Sequence, residues 1–319
     1  MNRVIDRFAV ILVAAAAMLW GTDTLFRVPL IGQYPTIQLS TAVVFAEHVI
    51  LTVAVLPLLW IGRREIRRLS GAQWLAIAAI GMGASALATV LFTMSFGYGH
   101  YIETLLLQKL QPLIAIVLAT VWLRERISTQ ALIWIPLAIA GAYMIVIPEP
   151  LRPASGWTDF HLQAGLLAVA AATLWGAATV FGRYALAGVS FPTLTSLRFV
   201  FGMPVLGLAL LVLAGSGALG LYKPHLAGYY LGVALIPGLA AMLLYYRGLA
   251  STPASIATLA ELAFPVTGVL LNMWLYHQSL TGWEAAGIAI LWLSLAALDW
   301  ANARRPQPLP TLRSEPAPL

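Results

Sequence analysis

The sequence predicts an all-α membrane protein whose ten transmembrane helices form two inverted five-helix repeats. Three observations carry that reading: an apolar composition, ten membrane-length apolar stretches, and a motif that returns 155 residues later. Charged residues fill 9% of the 319 positions, where a soluble domain carries about 25%. The hydrophobic fraction is 61% and the mean hydropathy +0.86. So few polar side chains cannot coat a soluble core, which excludes a cytosolic enzyme, a secreted domain and a disordered chain. The lack of cysteine excludes disulfides, thiolate metal sites and thiol catalysis. No cofactor and no metal are expected.

A hydrocarbon core about 30 Å thick needs about 20 apolar residues per helix. The stretches run over 8–30, 36–61, 72–96, 102–123, 129–148, 162–184, 193–214, 226–249, 254–277 and 281–301. Connections as short as 97–101 and 278–280 force successive helices to lie antiparallel and adjacent. The first stretch follows Arg3 and Arg7 as a signal peptide would. It continues through Trp20 and Gly21 to Leu30, however, and its pattern recurs later, so it reads as architecture.

Orientation follows from the loop arginines and lysines. With the N-terminus in the cytoplasm, the inner segments hold eleven of them and the outer loops only Arg152 and Lys223. Both termini are therefore expected inside. The tail 302–319 is proline-rich without apolar periodicity and is expected to be disordered.

Leu19-Trp20-Gly21 in the first span reappears as Leu174-Trp175-Gly176 in the sixth. At the same offset of 155, Thr24 meets Thr179 and Phe26 meets Phe181. The fourth span carries Leu110-Gln111-Pro112-Leu113 and then Trp122-Leu123. The ninth answers with Ala263-Phe264-Pro265-Val266 and Trp274-Leu275, at offsets of 153 and 152. Five helices per copy is an odd number, so the second copy enters the membrane from the opposite side. Such halves are related by a pseudo-twofold axis in the membrane plane, with a substrate site midway between them. The expected units are 1–149, 150–301 and the tail 302–319.

These residues resemble the EamA-type drug/metabolite transporter superfamily. The likeness lies in the Leu-Trp-Gly of each half and in 248–255 (Gly-Leu-Ala-Ser-Thr-Pro-Ala-Ser) leading to Phe264, Pro265 and Trp274. It extends to Pro112 followed by Trp122-Leu123-Arg124-Glu125-Arg126. Length, helix count and first-half layout are most similar to the bacterial YddG-type aromatic amino acid exporters. The chain departs from the family pattern at Arg124, at His277-Gln278 and in the aromatic 97–101 turn. The resemblance implies export of amino acids, aromatic ones foremost, and of similar metabolites across a bacterial inner membrane.

Ionisable groups inside a span are costly and count as functional candidates. They are Asp23, Arg27, Glu47, His48, Lys109, Arg183, Arg198, Arg247 and Glu261. Arg27 and Arg183 stand near helix ends, where long side chains snorkel. Asp23 and Arg27 are i, i+4 neighbours that can pair. Glu47 and His48 suit a cross-helix hydrogen bond and proton coupling equally. Lys109 lies between Gln108 and Gln111, just before Pro112, and Glu261 precedes Pro265. The two prolines interrupt paired helices and act as hinges beside a central site. Trp20 and Trp175 are expected in the cavity wall, with Tyr98, Tyr101, Tyr245 and Tyr246 extending it. Trp60, Trp74, Trp122, Trp274 and Trp300 fit interfacial belts, and Gly81, Gly83, Gly228 and Gly232 read as helix-packing contacts. The substrate-binding set is thus Trp20, Tyr98, Tyr101, Gln108, Lys109, Gln111, Trp175, Tyr246 and Glu261, with Pro112 and Pro265 as hinges.

Neither Lys109 nor Lys223 belongs to a phosphate-binding loop, so no ATP motor is encoded. No His-Glu-x-x-His or Gly-x-Ser-x-Gly pattern supports an enzyme. The expected function is secondary export of amino acids by alternating access, with the bilayer and the substrate as partners and no nucleic acid. A monomer is expected, with an oligomer left open. Export of cationic drugs or other small metabolites stays open as the alternative, because a buried acid among aromatics also suits a cation. An intramembrane enzyme is the more remote one.

Overall fold

The computed structural model describes residues 7–33, 35–111, 113–114, 117–118, 129–146, 160–185, 188–249, 260–261 and 263–303. Every regular element among them is helical, as lipid requires, since a helix satisfies its own backbone groups. The elements are α1 (Arg7–Gly21), α2 (Asp23–Ile31), α3 (Ile37–Ile66), α4 (Gly71–Phe96), α5 (Tyr101–Leu107), α6 (Thr129–Val146), α7 (Phe160–Ala185) and α8 (Phe191–Ala214). They continue with α9 (227–249), α10 (Ala263–Leu275) and α11 (Gly282–Ala303). Among the described residues, five runs are long and apolar enough to cross a membrane: Ala9–Ile31, Ile37–Ile66, Gly71–Phe96, Phe191–Leu221 and Pro224–Tyr245. Four shorter apolar helices accompany them. The chain is a multi-pass membrane protein.

Local chemistry sets the helix ends. Thr36 caps α3, its hydroxyl accepting from the Leu39 amide at 3.2 Å. Ser70 and Gln73 form a reciprocal capping box at the start of α4. Thr281 and Glu284 do the same for α11. Three interruptions differ from the continuous spans expected. The first span breaks at Thr22, whose hydroxyl donates back to the Leu19 carbonyl at 2.6 Å. Within α4 a π segment occupies Ile80–Leu87, and a second occupies Ala234–Ala240 within α9. In each, an amide reaches five residues back, Ala88 to Gly83 and Ala241 to Ile236. Pro237 has no N–H to give, and the widened turn accommodates the missing bond. The second span also runs further than expected, to Ile66, taking Arg63 and Arg64 into the helix.

Without a hydrophobic drive between helices in lipid, close packing must hold them together. Helix α1 lies along the C-terminal part of α9 and against α10, while α7 lies along α4 and against α5. Helix α3 packs on α8, and α6 packs on α11. Glycine permits two of these approaches. A Cβ on Gly21 would sit 2.9 Å from the Phe264 carbonyl oxygen, and one on Gly176 would sit 3.0 Å from that of Gln111. Of the four glycines expected to mediate packing, Gly81 meets the Arg198 carbonyl of α8 and Gly232 lies against the Phe26 ring. Among the described residues, a Cβ on Gly83 would meet Leu174 only at 4.0 Å and one on Gly228 nothing within 4 Å, so their expected packing role is not seen there.

Candidate functional site

One buried apolar cluster draws on many helices. It includes Ala17, Phe92, Phe96, Tyr101, Leu105 and Phe264, with Trp20 and Trp175 both packed against it. Trp20, on the last turn of α1, faces Tyr245 of α9 with ring centroids 5.1 Å apart. The Tyr245 hydroxyl donates to Oε1 of Glu261 at 2.6 Å. Glu261 sits in a turn just ahead of α10, its carbonyl accepting from the Phe264 amide at 3.0 Å. Lys109 sits in a 3-10 turn, Gln108–Leu110, that follows α5. Its Nζ stands 4.4 Å from the Phe264 ring centroid, a cation–π contact. Lys109 and Glu261 therefore converge on one aromatic neighbourhood, carrying opposite charges. Gln108 is half-buried, and among the described residues its Oε1 has no hydrogen-bond partner.

Trp175 is held differently. Its Nε1 donates to the carbonyl of Ala84 in the first π segment at 2.8 Å. Its ring meets Phe92 at 5.2 Å in an edge-on contact. From there a chain of edge-on aromatics runs through Phe96 and Tyr101 to Tyr276, with centroid separations of 4.6, 6.2 and 4.7 Å. Such pairs add about 0.5–1.5 kcal/mol each beyond area burial.

The remaining members of the expected set are more scattered. Tyr98 is half-buried in the turn after α4, Tyr101 is buried, and Gln111 is half-buried. Pro265 is buried in the first turn of α10, where a missing N–H costs nothing. Pro112, Trp122 and the side chain of Tyr246 lie outside the described residues. Trp60 and Trp274 are 70% and 74% exposed, whereas Trp74 packs on Phe201 at 5.8 Å.

Arg27 forms the expected i, i+4 pair with Asp23 but does not snorkel: it is 3% exposed and tied into a charged group spanning three helices. Nε and Nη2 fork onto the Asp23 carboxylate at 2.6 and 2.8 Å. Nη1 reaches Oε2 of Glu47 at 2.9 Å and the Thr93 hydroxyl at 3.0 Å. His48 stands apart from this group, with Nδ1 on the Val44 carbonyl and Nε2 on the Ser85 hydroxyl, both at 2.9 Å. A carbonyl only accepts, so Nδ1 carries a proton.

A cavity of about 450 Å³ opens beside this core, between α5 and the turn from α10 to α11. Glu103, Tyr276, Gln278 and Glu284 line it, and none of the expected substrate-binding residues does. Gln278 latches the turn before α5, accepting from the Ile102 amide at 3.2 Å and donating to the Gly99 carbonyl. Tyr276 donates to the Thr24 carbonyl at 3.0 Å, and Asn272 donates to the Thr24 hydroxyl at 3.3 Å. Glu103, 4% exposed with Oε1 3.4 Å from His100 Nδ1, is not among the ionisable residues that sequence reasoning singles out. Its signal is an acid just inside the start of the expected fourth span.

Membrane-length helices, interrupted near buried charges and gathered on an aromatic centre, are the build of a membrane transporter. The chain belongs to the EamA-like transporter family, whose model matches it twice, over residues 7–147 and 162–298. It is 29% identical over 303 residues to the riboflavin transporter ImpX of Fusobacterium nucleatum, across 92% of this chain and 97% of the relative. A solved crystal structure of another chain, 18% identical, superposes with a TM-score of 0.56 over 93% of this chain and 98% of its own. That likeness concerns the fold alone.

Proposed function

We propose that this protein is a secondary carrier of small, flat aromatic metabolites, working by alternating access between two inverted five-helix halves in a bacterial inner membrane, with both termini cytoplasmic. The two family matches begin 155 residues apart, the offset that relates Trp20 to Trp175. The helix contacts support the same exchange. Pairing α1–α2 with α7, α3 with α8, α4 with α9, α5 with α10 and α6 with α11 maps the contact of α1 on α9 onto that of α7 on α4. It likewise maps α1 on α10 onto α7 on α5. The π segments begin 154 residues apart, and the helix interruptions at Gln108 and Glu261 lie 153 apart. An inverted pair of this kind places a substrate at the interface of its halves.

The substrate reading rests on one observation, the near-full-length likeness to a riboflavin transporter. The aromatic surfaces around Trp20, Tyr245, Phe264 and Trp175 agree with a flat ring system as cargo. Riboflavin is therefore the first compound to test. Aromatic amino acids are the second reading, favoured by Lys109 and Glu261, whose opposite charges match a zwitterion's carboxylate and ammonium. Purified protein in proteoliposomes should show saturable flux of labelled riboflavin, competed by unlabelled riboflavin. Competition by phenylalanine and tryptophan but not by riboflavin would favour the second reading. Absence of saturable flux for all three would overturn both.

A further inference from the structure

Substrate binding by the aromatic centre makes no use of one buried group, the pair of acids held by a single arginine. Asp23, Arg27 and Glu47 have side chains 11%, 3% and 8% exposed. Two carboxylates against one guanidinium leave one surplus negative charge in a low-dielectric place, where an unpaired charge is costly. The hydrogen bonds show where that surplus can be relieved. Both oxygens of Asp23 accept from Arg27. Glu47 accepts from Arg27 through Oε2, and among the described residues its Oε1 accepts no hydrogen bond. The Thr93 hydroxyl also accepts from Arg27 and spends its own hydrogen on the Thr89 carbonyl at 2.7 Å.

Among the described residues, no second cation is seen bonded to this oxygen. Elements packed on α3 are α2, α4, α8, the first two-thirds of α9 and the 3-10 turns of Gly215–Leu221. Their titratable or charged groups are Asp23 and Arg27 on α2, Arg198 on α8, and Tyr229 and Tyr230 on α9. The Arg198 guanidinium stands 5.8 Å from the Phe199 ring centroid, and His48, the next residue along α3, has its ring committed to Val44 and Ser85 and packs edge-on against Phe199. The group is also joined along the chain to both tryptophan walls. Asp23 follows directly on the break at Thr22, one turn after Trp20. Thr93 follows Phe92, whose ring meets that of Trp175.

Resting on the carrier reading above, we propose that Asp23, Arg27 and Glu47 form a proton-binding site that couples substrate movement to protons, with Oε1 of Glu47 as the exchangeable position. In the step, one proton adds to the Glu47 carboxylate to give the neutral acid. Arg27 stays a cation bound to Asp23, and the group passes from one net negative charge to none. Release reverses it. A change of charge on Glu47 alters the hold of Arg27 on α2 and Thr93, and so shifts Trp20 relative to Phe92 and Trp175.

Two measurements test this, the first without any substrate. Infrared difference spectra of the protein in lipid, taken between acid and alkaline pH, should show a titrating protonated-carboxyl band. That band should vanish in Glu47→Gln, persist in Glu261→Gln, and shift in frequency in Glu47→Asp, which keeps an acid. Its persistence in Glu47→Gln, or its absence from the wild type, overturns the site. In proteoliposomes, an imposed pH gradient should speed net riboflavin flux by about ten-fold in the wild type. Glu47→Gln should lose that response while keeping riboflavin-for-riboflavin exchange. A gradient response retained in Glu47→Gln, or obtained with sodium in place of protons, overturns the coupling. Flux of neither riboflavin nor phenylalanine while the band titrates overturns the substrate reading and leaves the proton site standing.

Discussion

Gly21 and Gly176 meet their partner helices in the same way, each pressed against a backbone carbonyl, that of Phe264 for the first and of Gln111 for the second. The glycines stand 155 residues apart and the carbonyls 153. A Cβ at either glycine would come within 2.9 or 3.0 Å of that oxygen, closer than real Cβ atoms comfortably approach. The Leu-Trp-Gly motif thus has a physical reason in both halves. Its glycine lets one helix approach another, and its tryptophan faces the interior beside that contact.

Gly21→Ala and Gly176→Ala should therefore both destabilise the protein, by about 1–3 kcal/mol as overpacking typically does. Thermal unfolding in detergent checks this. A variant that melts with the wild type would show that its helices do not approach so closely.

Arg27→Ala should be far more damaging, because it strands two buried carboxylates. Breaking a buried ion pair costs about 3–5 kcal/mol. Glu47→Gln, which leaves Arg27 paired with Asp23, should cost much less. Equal melting temperatures for the two variants would mean that the group is not buried in the membrane.

How far the sequence revealed this arrangement depends on distance along the chain. The repeat was legible because glycine, tryptophan and proline are rare enough to align across 153 to 155 residues. Lys109 and Glu261 stand out in the sequence through the prolines that follow them. The charged group was not, since an i, i+4 pair such as Asp23 and Arg27 reads the same on a surface as in a core. Only Glu47 and Thr93, 20 and 66 residues beyond Arg27, reveal its burial. The latch was hidden for a related reason. Gln278 bonds backbone groups 176 and 179 residues away, and backbone groups leave no mark in a sequence. The π segments were equally silent, one built round Pro237 and the other without proline.

Lys109→Ala separates the two substrate readings. If the cargo is an amino acid, every amino acid loses flux alike, because each carries the carboxylate that Lys109 would hold. Riboflavin has no carboxylate, so its flux should fall less. If Gln108→Ala abolishes flux while Lys109→Ala transports normally, the amide with the unpartnered oxygen lines the path instead.

Topology has its own test. In a cysteine-free chain, a cysteine at Leu69 should react with an impermeant thiol reagent only from the cytoplasmic side, and one at Ser155 only from outside. Labelling of both from one side would contradict an odd number of helices per half.

The most direct measurement of the central claim is flux of the transported aromatic compound through Trp20→Ala and Trp175→Ala in proteoliposomes. If the two tryptophans are repeat-related walls of one site, each loss should weaken transport by a similar factor. That factor is about two- to ten-fold from the stacking term of about 0.5–1.5 kcal/mol alone, with threonine or another non-aromatic compound affected less. Wild-type flux in either folded variant would contradict a shared aromatic site between the halves.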